Sequence, residues 1–199
     1  MVKAILMVLL LAASTGTGQY TGPSRLGPFS IDVNKATRTR SLYRAVGRPR
    51  DPGADYFCYK GANGSYMYAV RMPHRSAEIG VVFVSVFPNC MGEVYTRTTF
   101  DFRGWRTPEG IGLGSSEHEV TKAYGPPPVR YKVDEDRYPG LIYNSTDPYG
   151  HPLPLPREIG SWILGRQEMV YGGGEDDLRA ATFGLRDGHV IWIYASDSP

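Results

Sequence analysis

The chain has 199 residues, with 22 Lys and Arg against 20 Asp and Glu and a formal net charge of +2. That length accommodates one large domain or two small ones, and its apolar content with so little net charge excludes a disordered chain. Gly (24 residues), Pro (16) and Tyr (14) are abundant, which favours short strands, many turns and aromatic packing.

Lys3 supplies a positive start, and Ala4 to Ala13 follow as an uncharged apolar run ending in small residues. This is signal-peptide anatomy over residues 1–18, with cleavage expected near Ser14 and a linker over 19–27. A membrane span needs about 20 apolar residues, and no later segment reaches that length. A lipoprotein would carry a cysteine where Ser14 stands, so no membrane anchor is expected after cleavage. The expected location is secreted or periplasmic.

Two stretches then align without a gap, from Thr37 to Gly47 and from Ser115 to Gly125. Leu42, Ala45 and Val46 fall at i, i+3 and i+4, and Val120, Ala123 and Tyr124 repeat the spacing, so each predicts a short amphipathic helix. Thr37 and either Ser115 or Ser116 are the N-cap candidates, and Ser116 with Glu119 has capping-box spacing. Gly47 and Gly125 suit the C′ position, with Pro49 and Pro126 barring continuation. Helices this short are marginal alone and must lay their apolar stripes on something.

Strands are expected downstream of each helix. After the first come Tyr56 to Lys60, Tyr66 to Met72, Ile79 to Phe87 and Val94 to Phe102, rich in aromatic and β-branched residues. Following the second come Tyr138 to Tyr143, Ile163 to Tyr171, Ala181 to Arg186 and His189 to Tyr194, the last two joined by the hairpin dipeptide Asp187-Gly188. The expected fold is α+β: two tandem modules, residues 28–103 and 104–199, each a short helix packed on an antiparallel β-meander.

Cys58 and Cys90 are the only cysteines, and an exported chain lets them close. A disulfide is expected, constraining the unfolded chain by roughly 3 to 4 kcal/mol in the chain-entropy view.

Gly110 to Pro126 (GIGLGSSEHEVTKAYGP), followed by Ala181 to Ile193 (ATFGLRDGHVIWI), resembles the module of the outer-membrane assembly lipoprotein BamE. The same module in tandem resembles the secreted β-lactamase inhibitory protein. The resemblance covers roughly residues 28 to 195 and is clear in the second unit, while the first shares only its helix and Gly-x-Pro ending. Such modules serve as binding surfaces, which is what the resemblance implies. This chain departs from the pattern in having no lipid-bearing cysteine, and none of its positions matches the inhibitor's target-contacting residues. The identity of a target therefore does not carry over.

Side chains able to do chemistry are scattered. His74, His118, His151 and His189 lack metal-ligand spacing, and His118-Glu119 lacks the second histidine of a zinc-protease helix. Gly110 to Ser116 places glycines before a helix N-terminus but lacks the Gly-Lys-Ser/Thr ending of a phosphate loop, so a strand-to-helix connection is expected. Glu175-Asp176-Asp177 lacks the alternating oxygens of an EF-hand. No catalytic residue, metal site or cofactor is nominated, and Asn63-Gly-Ser and Asn144-Ser-Thr read as turn sequences.

Charge is uneven along the chain: residues 1–106 carry 14 basic and 6 acidic side chains, while 107–199 carry 8 basic and 14 acidic. Arg38, Arg40, Arg44, Arg48 and Arg50 crowd the first helix and its exit. The patch is expected to dock on the acidic second half or to be solvated; the other reading is contact with an acidic or phosphate-bearing partner. Nucleic acid is not expected as a partner at this overall charge. Pro148, Pro152, Pro154 and Pro156 mark a long loop whose Tyr149, His151 and Leu155 join Arg38, Arg40 and Arg44 as candidate partner contacts. The expected function is non-catalytic binding of a protein or envelope component through a sheet face or loops. The competing reading is a small extracellular hydrolase whose groups, His151 and acidic neighbours among them, converge only in three dimensions.

Overall fold

The computed structural model describes residues 22–31, 35–72, 75–88, 90, 95–127, 129–132, 167–172 and 180–196. The signal-peptide segment, Tyr149, His151, Leu155 and the strand expected at Tyr138 to Tyr143 lie outside them. In chain order the strands are β1 (Arg25–Leu26), β2 (Phe29–Ser30) and β3 (Thr37–Arg38), then helix α1 (Thr39–Val46). Strands β4 (Tyr56–Lys60), β5 (Tyr66–Met72), β6 (Arg75–Ser85) and β7 (Thr96–Arg97) follow, then helix α2 (Glu117–Tyr124). The chain continues with β8 (Val129–Lys132), β9 (Gln167–Gly172), β10 (Ala180–Arg186) and β11 (His189–Ser196). The fold is α+β.

Both helices occupy the same positions of the aligned stretches, and both end at a glycine of positive φ, Gly47 at 96° and Gly125 at 78°. Their N-termini differ. Ser116 caps α2 by accepting from the Glu119 amide while Glu119 accepts from the Ser116 amide at 2.6 Å, completing the expected box. Helix α1 has Arg38 at its N-cap position, with no side-chain cap. The expected cap, Thr37, lies instead in β3, where its backbone pairs with Ile79 and its hydroxyl accepts from the Ser30 amide at 2.7 Å. A hydroxyl committed to that amide does not serve the helix.

Among the described residues nine strands share one sheet, in the order β7-β4-β5-β6-β11-β10-β9-β8, with β3 also on β6. The meander β4-β5-β6 and the meander β8-β9-β10-β11 meet through antiparallel pairing of β6 with β11, Val84 opposite Ile193. The expected strand from Val94 to Phe102 is reduced to Thr96–Arg97, parallel to β4. Beyond it the Asp101 carboxylate accepts from the Arg103 amide at 2.9 Å and the Ser65 hydroxyl accepts from the Phe102 amide at 3.0 Å. These bonds turn the chain into a short 3-10 segment that buries Phe102. The expected linker ends in structure: β1 and β2 form a hairpin that sends Leu26 and Phe29, with Ile31, into the core.

One face of the sheet carries this core. Directly opposed residues of antiparallel strands share a face, so Phe57, Ala69, Val82, Ala195 and Ala181 form one row and Tyr59, Met67, Val84, Ile193 and Phe183 the next. All are buried, under Leu42 and Val46 of α1, Val120 of α2, and Trp105, Ile111 and Leu113. Each such side chain contributes roughly 1.5–3 kcal/mol by leaving water. The Tyr59 phenol donates to the Gly47 carbonyl at 2.8 Å, fastening β4 to the end of α1, and burial, then neighbouring Tyr43, holds its proton well above the ordinary tyrosine range.

Candidate functional site

The opposite face carries the alternate residues of the same strands. Tyr66, Ser85, Trp192 and Gly184 form one row, Cys58, Tyr68, Phe83, Tyr194 and Thr182 the next, and Tyr56, Val70, Val81 and Ser196 a third. This face is rich in tyrosine, and its buried aromatic residues Phe83, Phe87 and Trp192 form an apolar cluster separate from the main core.

The packing here is specific. The Phe83 and Trp192 rings lie 5.4 Å apart, Phe83 and Phe87 6.4 Å, and Tyr56 and Tyr68 5.8 Å. Trp192 lies flat across β10: a Cβ added at Gly184 would stand 1.9 Å from its Nε1. Only glycine leaves room for the indole. The indole N–H is buried and has no acceptor among the described residues, a cost of roughly 1–3 kcal/mol for an orphaned donor. Tyr56 is the one large hydrophobic residue that is openly exposed among the described residues, at 47%. Tyr66 and Tyr68 are half-buried, and burial, then the neighbouring Tyr56 and Tyr194, raises the Tyr68 phenol well above its usual range.

A disulfide joins Cys58 on β4 to Cys90, as expected, with an S–S distance of 2.02 Å. It holds the chain that leaves β6 against this face. The Cys90 amide donates to the Tyr95 hydroxyl at 3.1 Å, and the Tyr95 ring meets Tyr66 edge-on at 5.5 Å. At the sheet edge Tyr56, Cys58, Arg50 and Thr96 line an open cleft of about 370 Å³. A second cleft of similar size lies beside Arg25 and Lys35.

Neither cleft is lined by histidine. His118 and His189 are exposed, and no group of three or more His, Cys, Asp or Glu able to hold a metal occurs among the described residues. The glycine-rich connection is tied to itself and to the β10–β11 hairpin: the Gly112 amide donates to the Ser115 hydroxyl at 3.1 Å, the Gly114 amide to the Val190 carbonyl at 2.8 Å, and the Glu117 amide to the Gly188 carbonyl at 2.8 Å. Amides spent this way do not cradle a phosphate.

Arg38, Arg40 and Arg44 are exposed on the far side of the molecule's core from the tyrosines, since α1 packs on the other face. The structure does not bring them to the tyrosine rows. The rows themselves escape a strand-by-strand reading. Their signal is present in sequence, because β5, β6 and β11 carry apolar or aromatic residues at both parities, as in Tyr66-Met67-Tyr68-Ala69 and Val81-Val82-Phe83-Val84. That pattern marks a sheet covered or engaged on both faces.

No protein-family model matches the chain, and neither a curated protein nor a solved structure matches it.

Proposed function

We propose that this chain is an extracytoplasmic, non-catalytic binding protein that engages a protein or envelope component through the face of its sheet on which no described helix packs. The observation that carries the reading is the contiguous set Tyr56, Tyr66 and Tyr68 beside the buried Phe83–Trp192 pair. Tyrosine and tryptophan present large, stiff apolar area with a polar tip, the composition of binding hot spots. The broken local rules at Trp192 and Gly184 also support it, since such exceptions concentrate where a surface is used. The disulfide fits export, as does the signal-peptide pattern of residues 1–18. The tandem-module organisation, similar to BamE-like binding modules, belongs to the same proposal, with the two meanders as its halves.

The test is affinity capture by the oxidised chain from its own envelope or secretion extract, in parallel with a Tyr56→Glu, Tyr66→Glu double variant. A partner retained by the parent and lost by the variant is the expected result. Turnover of an ester, peptide or glycan by the parent, with no partner recovered, would overturn the reading.

A further inference from the structure

The two helices, equivalent in the repeat, share a cation in the last turn, Arg44 standing for Lys122, but are built to opposite electrostatic rules in the first. Helix α2 has Ser116 at its N-cap, Glu117 and Glu119 in its first turn and Lys122 in its last, each matched to the helix dipole. At the corresponding places α1 has Arg38 for Ser116, Thr39 for Glu117, Arg40 for His118 and Ser41 for Glu119, with no acid in its first turn. A cation at the positive end of a helix is unfavourable, and like charges four residues apart repel. Arg40 and Arg44 are four apart, and Arg48 is four further on, just beyond the helix.

These arginines are not placed there by packing. Arg38, Arg40, Arg44 and Arg48 are all exposed, and their side chains make no hydrogen bond or ion pair with the described residues. No acidic side chain described in the second half pairs with them. The buried residues of α1 are Thr39, Leu42 and Val46, so the arginine stripe faces away from the sheet. Local stability is given up for an outward row of positive charge.

We infer that the stripe of Arg40 and Arg44, continued by Arg48 beyond the helix, is a second interaction surface, distinct from the tyrosine face, and that its partner is an acidic protein segment presenting carboxylates about 6 Å apart, the rise of four helical residues. Four features select that chemistry. The stripe is all arginine, whose planar fork pairs with discrete carboxylates in a fixed geometry, rather than lysine, a mobile point charge. Its spacing matches Asp or Glu at i, i+4 on a facing helix. The exposed residues between the arginines include no large apolar side chain to enter a lipid layer, since Ser41 and Gly47 stand there. They include no exposed aromatic ring to stack on bases, and the chain's net charge of +2 is small for a binder of polyphosphate backbones.

The experiment titrates the full oxidised chain, at about 0.1 M salt, where the Debye length is about 10 Å, with three probes: poly-L-glutamate, inorganic polyphosphate and vesicles of anionic phospholipid. An Arg40→Glu, Arg44→Glu variant is compared with a charge-matched control, Arg103→Glu, Arg186→Glu, whose arginines are exposed elsewhere. Poly-L-glutamate should bind the parent most tightly, lose about ten-fold in affinity with the α1 variant, and lose less than about two-fold with the control. The single variant Arg40→Glu should melt no lower than the parent, because it puts an acid in the first turn and ends the repulsion with Arg44. Equal losses in both double variants, tighter binding of polyphosphate or vesicles, self-association of the parent through the same arginines, no binding of poly-L-glutamate, or a lowered melting temperature of Arg40→Glu would each overturn the inference. Because the tyrosine face is untouched, failure here leaves the capture experiment's outcome unchanged.

Discussion

Removing the disulfide tests how the tyrosine face is held together. Cys58 and Cys90 are separated by 32 residues, and both are buried, so a Cys58→Ala, Cys90→Ala variant deletes the cross-link with little change in exposed surface. In the chain-entropy treatment a closed loop of this length lowers the unfolded state's entropy by about 12.5 cal/mol/K, or about 3.7 kcal/mol at 25 °C. For a chain of this size each kcal/mol moves the melting temperature by about 2–4 °C, so the variant should melt roughly 7–15 °C below the parent. Urea unfolding should give a lower midpoint with a similar or slightly steeper slope. The near-ultraviolet signal from the Tyr66–Tyr95 and Phe83–Phe87 contacts should weaken before the midpoint, because Cys90 no longer holds that chain on the sheet. A melting temperature within about 3 °C of the parent would refute the reasoning, by showing that the segment is already restrained without the bond.

Gly184→Ala forces a methyl group to within 1.9 Å of Trp192, which cannot swing aside without leaving Phe83; the expected cost is about 1–3 kcal/mol, read by chemical denaturation, with the Trp192→Leu background restoring most of it. Ser116→Ala removes the cap of α2 and should cost about 1 kcal/mol, whereas Thr37→Ala should leave α1 uncapped as before and act through the lost contacts with Ser30 and Pro28, measured by the same assay. The Glu119 carboxyl is held below its usual range by hydrogen bonds from the Ser116 amide and hydroxyl. A depressed pKa stabilises the fold above the unfolded value of about 4.3, and that contribution disappears as pH falls through the lower folded value. Amide protection at the start of α2, taken relative to the intrinsic exchange rate at each pH, should therefore fall selectively in acid, a loss that Glu119→Gln should abolish; protection independent of pH in the parent would count against the box.

Much of the fold is legible in sequence because local signals and tertiary demands coincide there. Strands β4 and β5 begin and end where aromatic runs meet turn residues, and Asp187-Gly188 joins β10 to β11 with Asp187 at a φ of 52°. Cap, capping box and terminal glycine locate α2. The signals fail where a distant partner outbids them. Thr37 has a cap's chemistry, but β6 claims its backbone and Ser30 its hydroxyl. Val94 to Phe102 has a strand's composition, yet Asp101 and Ser65 capture its last amides and turn it inward. The junction of the two meanders rests on pairing between residues near 84 and 193, and no local pattern encodes a contact at that separation.

The candidate surfaces follow the same division. A helix stripe and a sheet face can each be read as apolar or polar, but what they oppose depends on the packing of the whole chain. Once α1 and α2 cover one face of the shared sheet, the odd and even residues of β4, β5, β6 and β11 acquire different meanings. Phe57, Tyr59, Met67 and Ala69 are core, while Tyr56, Tyr66 and Tyr68 stand on the face where no described helix packs. Once Leu42 and Val46 turn inward, Arg40 and Arg44 must turn outward, and no residue of the first turn offsets their charge. A core alone would be satisfied by any small polar residues at those outward positions and by alanine in place of half the tyrosines. The chain instead keeps large aromatic rings on one outer surface and repelling cations on the other, at a local cost that α2 shows to be avoidable. The proposed binding at both surfaces would give that cost a physical reason, and the charge-reversal and tyrosine variants separate the two.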